Sequence, residues 1–209
     1  MFSSGAYNVE MGITSDLFPQ KRDETPNCQF TNTPNDSITQ VGNDPEADDI
    51  ELFAAFMNFL DPPKPSATVP GGAASIANGK AAFTAVGCAM CHQPSFTTSS
   101  IAQSPALTNI QANLFSDLLV HHMGPRLADG ITQGLAQGDE FRTAPLWGVG
   151  QRVFFLHDGR TKDLVQAILQ HARAGNDQYG PSEANAVIAN FSALPASSQQ
   201  DLLNFLRSL

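Results

Sequence analysis

The 209 residues carry 42% hydrophobic and only 15% charged side chains, with a formal net charge of −9. That length accommodates one or two small domains, and the apolar fraction is enough for a packed core. The acidic balance argues against nucleic acid as a partner, because phosphate binding needs basic patches, and no apolar run approaches the roughly 18 residues that a membrane-crossing helix requires.

The chain opens Met1-Phe2-Ser3-Ser4-Gly5-Ala6-Tyr7, without the basic and apolar regions of a signal peptide. Residues 1 to about 47 are polar and punctuated by Asp23-Glu24-Thr25-Pro26-Asn27, Thr33-Pro34-Asn35-Asp36 and Gly42-Asn43-Asp44-Pro45, which predicts irregular, loop-rich structure. Cys28 is the odd thiol of three, expected either free or paired with a segment outside the chain. Asp48-Asp49 then opens a helix over about 49–60, with its acidic groups at the positive end. Ile50, Phe53, Phe56, Met57 and Leu60 make an apolar stripe at helical spacing. Asp61-Pro62-Pro63 stops it. The Pro/Ser/Gly-rich run 62–72 reads as a linker between a first region, 1–61, and a second, 73–209.

The second region begins with a helix that carries Ile76, Lys80, Phe83 and Val86 into Gly87. Directly after it comes Cys88-Ala89-Met90-Cys91-His92. C-x-x-C-H is the attachment signature of c-type haem: each thiol can form a thioether to one porphyrin vinyl, and the following histidine supplies the proximal imidazole. Two other chemistries use the C-x-x-C pair. A thioredoxin-like dithiol should follow a strand in a βαβ setting, which this pattern lacks. A zinc site needs about four ligands, and no second Cys/His cluster pairs with the first along the chain. The expected cofactor is therefore one covalently bound haem c. Covalent haem attachment in bacterial cytochromes c happens outside the cytoplasm, so the expected location is periplasmic or otherwise extracytoplasmic. The leader would then lie in an N-terminal part that this chain lacks, or export would be arranged elsewhere.

Gln93 to Asn109 is Ser/Thr/Gln-rich and expected to be loop. Leu114 to Met123 is predicted as a short helix with Phe115, Leu118 and Leu119 inward, ended by Gly124-Pro125. A Gly-rich, non-regular stretch follows to Gly150. Thr161 is the expected cap of a helix through Leu164, Ile168 and Leu169 to His171. Ser182 is the expected cap of another, with Val187, Ile188 and Phe191. Ser198, with Asp201 three residues on, is the expected cap of the last, whose buried face is Leu202, Phe205, Leu206 and Leu209. No segment reads as a convincing strand, so the predicted class is all-α with long loops.

Gly79-Lys80-x-x-Phe83-x-x-x-Gly87-Cys88-x-x-Cys91-His92, closed by the Leu202–Leu209 helix, resembles a class I cytochrome c domain. In such folds the first and last helices cross, and a small residue lets the backbones approach. Gly79 is the candidate, with Phe83 and Phe205 or Leu206 beside it. The resemblance widens with His122-Met123-Gly124-Pro125, Leu127-Ala128-Asp129-Gly130, Arg142-Thr143-Ala144-Pro145-Leu146-Trp147-Gly148 and Leu156-His157-Asp158-Gly159-Arg160. Glu51-Leu52-Phe53-Ala54-Ala55-Phe56 also fits, and Leu17-Phe18-Pro19 fits loosely. Together they are similar to the C-terminal part of the bacterial di-haem oxidoreductases, relatives of the di-haem cytochrome c peroxidases. The resemblance implies an all-α, cytochrome c-like domain with long irregular loops, preceded by a mostly irregular segment that ends in one helix. Only one C-x-x-C-H is present, so the stripe from Ile50 to Leu60 resembles the closing helix of an upstream haem domain, and 1–61 its remnant or tail.

His92 is the expected proximal ligand. The resemblance places a distal ligand after the His157-Asp158-Gly159-Arg160 motif, which selects His171. Met123 is the alternative, and its thioether would raise the reduction potential. His121, His122 and His157 complete the five histidines. His157 is expected to orient the pocket from a tight turn. Arg160 is the expected partner of a haem propionate, with Arg142 and Arg126 as alternatives and surface salt bridges as the competing role. Trp147 would bond a propionate, sit on an electron path, or simply fill the core. Pro105 is a candidate to lie against the proximal imidazole, with a nearby carbonyl fixing its N–H.

Two functions from different classes follow. A relay module cycles iron between Fe(III) and Fe(II) with both axial positions filled by protein, and passes single electrons to a redox partner protein or an upstream haem domain. A peroxidase-type oxidoreductase needs a displaceable sixth ligand and an acid/base group beside it. The sequence nominates no catalytic residue for that role, and in the peroxidases that the chain resembles the peroxide-binding haem is the N-terminal one. A truncated chain that never holds haem is the third possibility.

Overall fold

The computed structural model describes residues 2–15, 17, 18, 20, 38–41, 44–101 and 104–209. Cys28, Pro19 and the expected loops at 23–27 and 33–36 lie outside them. Contacts divide the chain into two units, Met1–Asp61 and Pro62–Leu209.

The first unit holds α1 (Phe2–Met11), β1 (Ile38–Val41), β2 (Asp44–Asp48) and α2 (Asp49–Asn58). Where described, it is therefore less irregular than its composition predicts. Tyr7 of α1 stacks on Phe53 of α2, with ring centroids 6.3 Å apart. Asn8 anchors the chain beyond α1 by donating to the carbonyls of Ile13 and Gln20 at 3.3 and 3.0 Å. Asp49 and Glu51 occupy the first turn of α2, where they oppose the positive end of its dipole. Ile50 is buried, whereas Leu52, Phe53, Phe56, Met57, Phe59 and Leu60 are exposed.

The second unit is built on two crossing helices, α3 (Gly72–Val86) and α6 (Ala196–Ser208). Alanine makes up much of α3, and it is the best helix former. Its Ile76, Gly79, Phe83 and Val86 fall at three- and four-residue spacing and turn one face to α6. Gly79 sits at the closest approach: a Cβ there would run into the Asp201 carbonyl and lie 2.7 Å from Phe205 Cβ. Phe83, Phe115 and Phe205 form an edge-on triad with centroids 5.4 to 6.2 Å apart. Each such pair contributes about 0.5–1.5 kcal/mol beyond its buried area. Leu202, Leu203, Leu206, Leu209, Val149, Leu164 and Phe191 complete the core. The proline-rich segment after Asp61 belongs to this unit, where the Ser66 N–H donates to the Ser208 carbonyl at 2.7 Å.

Between the two crossing helices run β3 (Phe96–Thr97), β4 (Gln111–Ala112), β5 (Val120–His122), β6 (Glu140–Arg142), α4 (Leu164–Leu169) and α5 (Asn185–Ser192). The six described strands form three antiparallel pairs, β1–β2, β3–β4 and β5–β6. They overturn the all-α expectation, although helices still supply the core. The reason is clearest at Leu114–Met123, predicted helical. Phe115 and Leu118 adopt φ of 52° and 61°, which a right-handed helix excludes. The chain turns there and continues as β5, with His121 opposite Phe141 of β6. Three expected caps also shift; Ser182 lies outside α5, whose N-cap is Ala184. Asp163, not Thr161, caps α4, its carboxylate accepting from the N–H groups of Val165 and Gln166. The last helix starts at Ala196, directly after Pro195, so Ser198 lies inside it. No helix among the described residues is long and apolar enough to cross a membrane.

Candidate functional site

The end of α3 aims the Cys-rich motif. Gly87 takes φ 103°, a left-handed conformation that suits glycine, and its N–H closes the helix on the Phe83 and Thr84 carbonyls. A 3₁₀ turn over Cys88–Met90 follows, locked by the His92 N–H donating to the Cys88 carbonyl at 2.9 Å. Both cysteines are free thiols at half-buried positions. Burial pushes the Cys88 thiol up to about 11. Burial also raises Cys91, helped by the carboxylates of Asp117 and Glu183. Both sulfurs are therefore protonated at neutral pH.

His92 is held from two sides. The Phe83 ring lies 6.3 Å from its ring, and its Nδ1–H donates to the Phe115 carbonyl at 2.9 Å. That carbonyl fixes the imidazole where the sequence pointed to Pro105, which instead opens a separate 3₁₀ turn, Pro105–Leu107. Burial pulls the His92 pKa down to about 4, and His171 is near enough for its charge to add to that depression. His171 itself is lowered by burial. It follows α4, and its Nδ1–H donates to the Ala167 carbonyl at 2.8 Å. Its own carbonyl accepts from the Ser182 hydroxyl, which ties the loop after α4 to the start of α5. So both histidines are neutral, both carry the proton on Nδ1, and neither Nε2 has a hydrogen bond among the described residues. No sealed side-chain nitrogen or oxygen among the described residues lacks a partner, so both Nε2 atoms open onto accessible space.

The other three histidines differ. His121 bridges two carboxylates, with Nε2 2.9 Å from Asp117 Oδ2 and Nδ1 2.8 Å from Glu183 Oε2. Burial alone would lower it, but those two bonds outweigh burial and raise its pKa, while both acids are held below their ordinary range. His121 Nδ1 also lies 3.9 Å from Cys91 Sγ. His122 pairs through Nδ1 with both oxygens of buried Asp139, at 3.2 and 3.1 Å, and is raised in consequence. His157 stacks on Phe141 with centroids 4.4 Å apart. Met123 is buried, its N–H donating to the Asp139 carbonyl.

The Arg160 guanidinium grips Asp158 at 2.6 Å and donates to the Arg126 carbonyl, so it is engaged both within its own turn and with the loop at Arg126. Arg142 ends β6 exposed, with no ion pair among the described residues. Trp147 is half-buried and lines a cavity of about 60 Å³ with Pro62, Pro63, Phe115 and Leu209.

Sequence reasoning named Cys88, Cys91, His92 and His171 as candidates and did not reveal the Asp117, His121 and Glu183 group around Cys91. The only signal for it was the His121-His122 doublet. The two carboxylates sit 26 and 92 positions from Cys91, and only the folded β5 brings them there.

A family model described as "di-haem oxidoreductase, putative peroxidase" matches residues 1–209. The chain belongs to this family, which makes it an oxidoreductase-class protein with haem as cofactor. No curated protein and no solved structure matches it.

Proposed function

We propose that this chain is a one-electron relay carrying a single haem c, tethered by Cys88 and Cys91 and ligated by His92 and His171. The observation that carries this reading is the matched state of the two histidines. Each is neutral, each commits Nδ1–H to a backbone carbonyl, and each leaves an Nε2 lone pair free. Metal-ligating histidines need that tautomer, and the second hydrogen bond fixes the ring. The residues thus fit the group: two thiols on one turn, an oriented imidazole beside them, and a second imidazole near the first.

When bound, haem supplies an Fe(III)/Fe(II) couple. The protein does the rest. Cys88 and Cys91 would tether the macrocycle, and Phe83 packs against the His92 ring. His171 would be the second protein ligand, and two protein ligands would leave the group to supply outer-sphere electron transfer. Arg142 and Arg126, whose side chains make no ion pair among the described residues, are the arginines available to a propionate, and Trp147 is a candidate companion.

The class I cytochrome c reading draws support from the α3–α6 crossing at Gly79. Exposure of the apolar face of α2 supports 1–61 as part of an upstream haem domain that would exchange electrons with this one. Residues 1–61 hold 11 of the 20 acidic and 2 of the 11 basic side chains, which favours a basic redox partner. Covalent attachment implies an extracytoplasmic location.

Replacing His171 with Ala tests the ligation. The native chain is expected to be low-spin in both oxidation states and indifferent to cyanide, carbon monoxide and peroxide. His171→Ala should turn high-spin and bind carbon monoxide. A variant that stays low-spin, with Met123→Ala becoming high-spin instead, would replace His171 by Met123. A native chain already high-spin and reactive with peroxide would favour the peroxidase reading.

A further inference from the structure

We propose that the chain, before haem is attached, holds one zinc-type divalent cation between Cys91, Asp117 and His121. These residues offer one sulfur, one oxygen and one nitrogen donor, all within 4.8 Å of one another. Zinc favours this mixture and takes it at about 2.0–2.3 Å with tetrahedral angles. Two such ligands, one sulfur and one nitrogen, then stand about 3.6 Å apart. Cys91 Sγ and His121 Nδ1 already stand 3.9 Å apart, so this pair needs a contraction of a few tenths of an ångström, while the Asp117 carboxylate, now bonded to Nε2 at 2.9 Å, turns toward the Nδ1 edge to reach the same cation.

A second carboxylate stands at the Nδ1 edge of the ring, outside the group of three. Glu183 Oε2 lies 2.8 Å from His121 Nδ1, on the side that faces Cys91. The group is reachable: the Glu183 side chain is half-exposed, while His121 and Asp117 are mostly buried. The scaffold is also stiff. Asp117 N–H donates to the Cys91 carbonyl, its carboxylate accepts from the Leu119 N–H, and Glu183 accepts from the His122 N–H. Entry of the cation displaces the thiol proton of Cys91 to solvent and leaves the thiolate as ligand, with no change of oxidation state.

This site is not the C-x-x-C site that the motif suggests, because it draws on Cys91 alone and on residues from β5, the turn before it and the start of α5. The cation site itself does not depend on the haem reading; only its loss on haem attachment does, since a thioether is a far poorer ligand than a thiolate.

The test uses the haem-free full-length chain, titrated with Zn²⁺ in competition with a chromophoric chelator and, separately, with Co²⁺ followed by absorption. One cation per chain is expected. Cys91→Ser, His121→Gln and Asp117→Asn should each weaken binding at least about tenfold. Cys88→Ser should bind as the native chain does. The cobalt form should show a tetrahedral spectrum with charge transfer from one sulfur. Circular dichroism of each variant guards against loss of fold. Absence of stoichiometric zinc binding, loss of binding in Cys88→Ser, or a cobalt spectrum without sulfur charge transfer would overturn the proposal, and none of these outcomes would touch the His92 and His171 assignment.

Discussion

His92 and His122 show how one residue type is shifted in opposite directions within the second unit. His92 is desolvated and bonded to a carbonyl, so it stays neutral and can serve as a ligand. His122 is half-exposed and paired with a buried carboxylate, so its proton is held more firmly. The consequence for stability has a definite sign. The folded pKa of His122 exceeds the unfolded value of about 6.5, so the pair stabilises the fold fully below that pH and is lost as pH rises through the folded value. The gap in thermal midpoint between the native chain and His122→Gln is therefore expected to be widest near pH 6 and to narrow above it. A gap that widens toward alkaline pH would contradict the pairing. At this scale the sequence revealed what is local. Cys88, Cys91 and His92 stand out because C-x-x-C-H is a fixed spacing along the chain. The Phe115 carbonyl does not, since a backbone acceptor leaves no mark on residue identity.

Among the elements, the crossing of α3 and α6 bears the second unit, and Gly79 permits it. A methyl group there meets the Asp201 backbone, which has no flexible end to move aside. Gly79→Ala is expected to destabilise the chain by about 1–3 kcal/mol, the cost of overpacking a tight core, even though alanine is the better helix former. Chemical denaturation of the two chains measures this, and a variant as stable as the native chain would show that the helices do not meet there. This crossing was readable in advance only through the resemblance to class I cytochrome c domains, whose first and last helices cross over a small residue. The strands were not. Leu118, Leu119 and Val120 form a short apolar run that suits either state, and only the left-handed turns at Phe115 and Leu118 and the partner β6 decide it. Helices α4 and α6 were found, but their first turns were misplaced because Thr161 and Ser198 are plausible caps that lie beside the true starts.

For the whole molecule, family membership over residues 1–209 and a single C-x-x-C-H pull in different directions. The family description speaks of two haems, and this chain carries the motif for one. Its second unit contains a complete set of candidate tethers and ligands, and its first unit presents an apolar helix face without such a set among the described residues. That division is what makes a relay the better reading for this polypeptide. The most direct test is the pyridine haemochrome spectrum of the purified, matured protein after acid-acetone extraction. The expected result is that one haem per chain stays with the polypeptide and shows the band position of a porphyrin with both vinyl groups saturated by thioethers. Haem that passes into the organic phase, or a spectrum with both vinyls intact, would contradict attachment through Cys88 and Cys91.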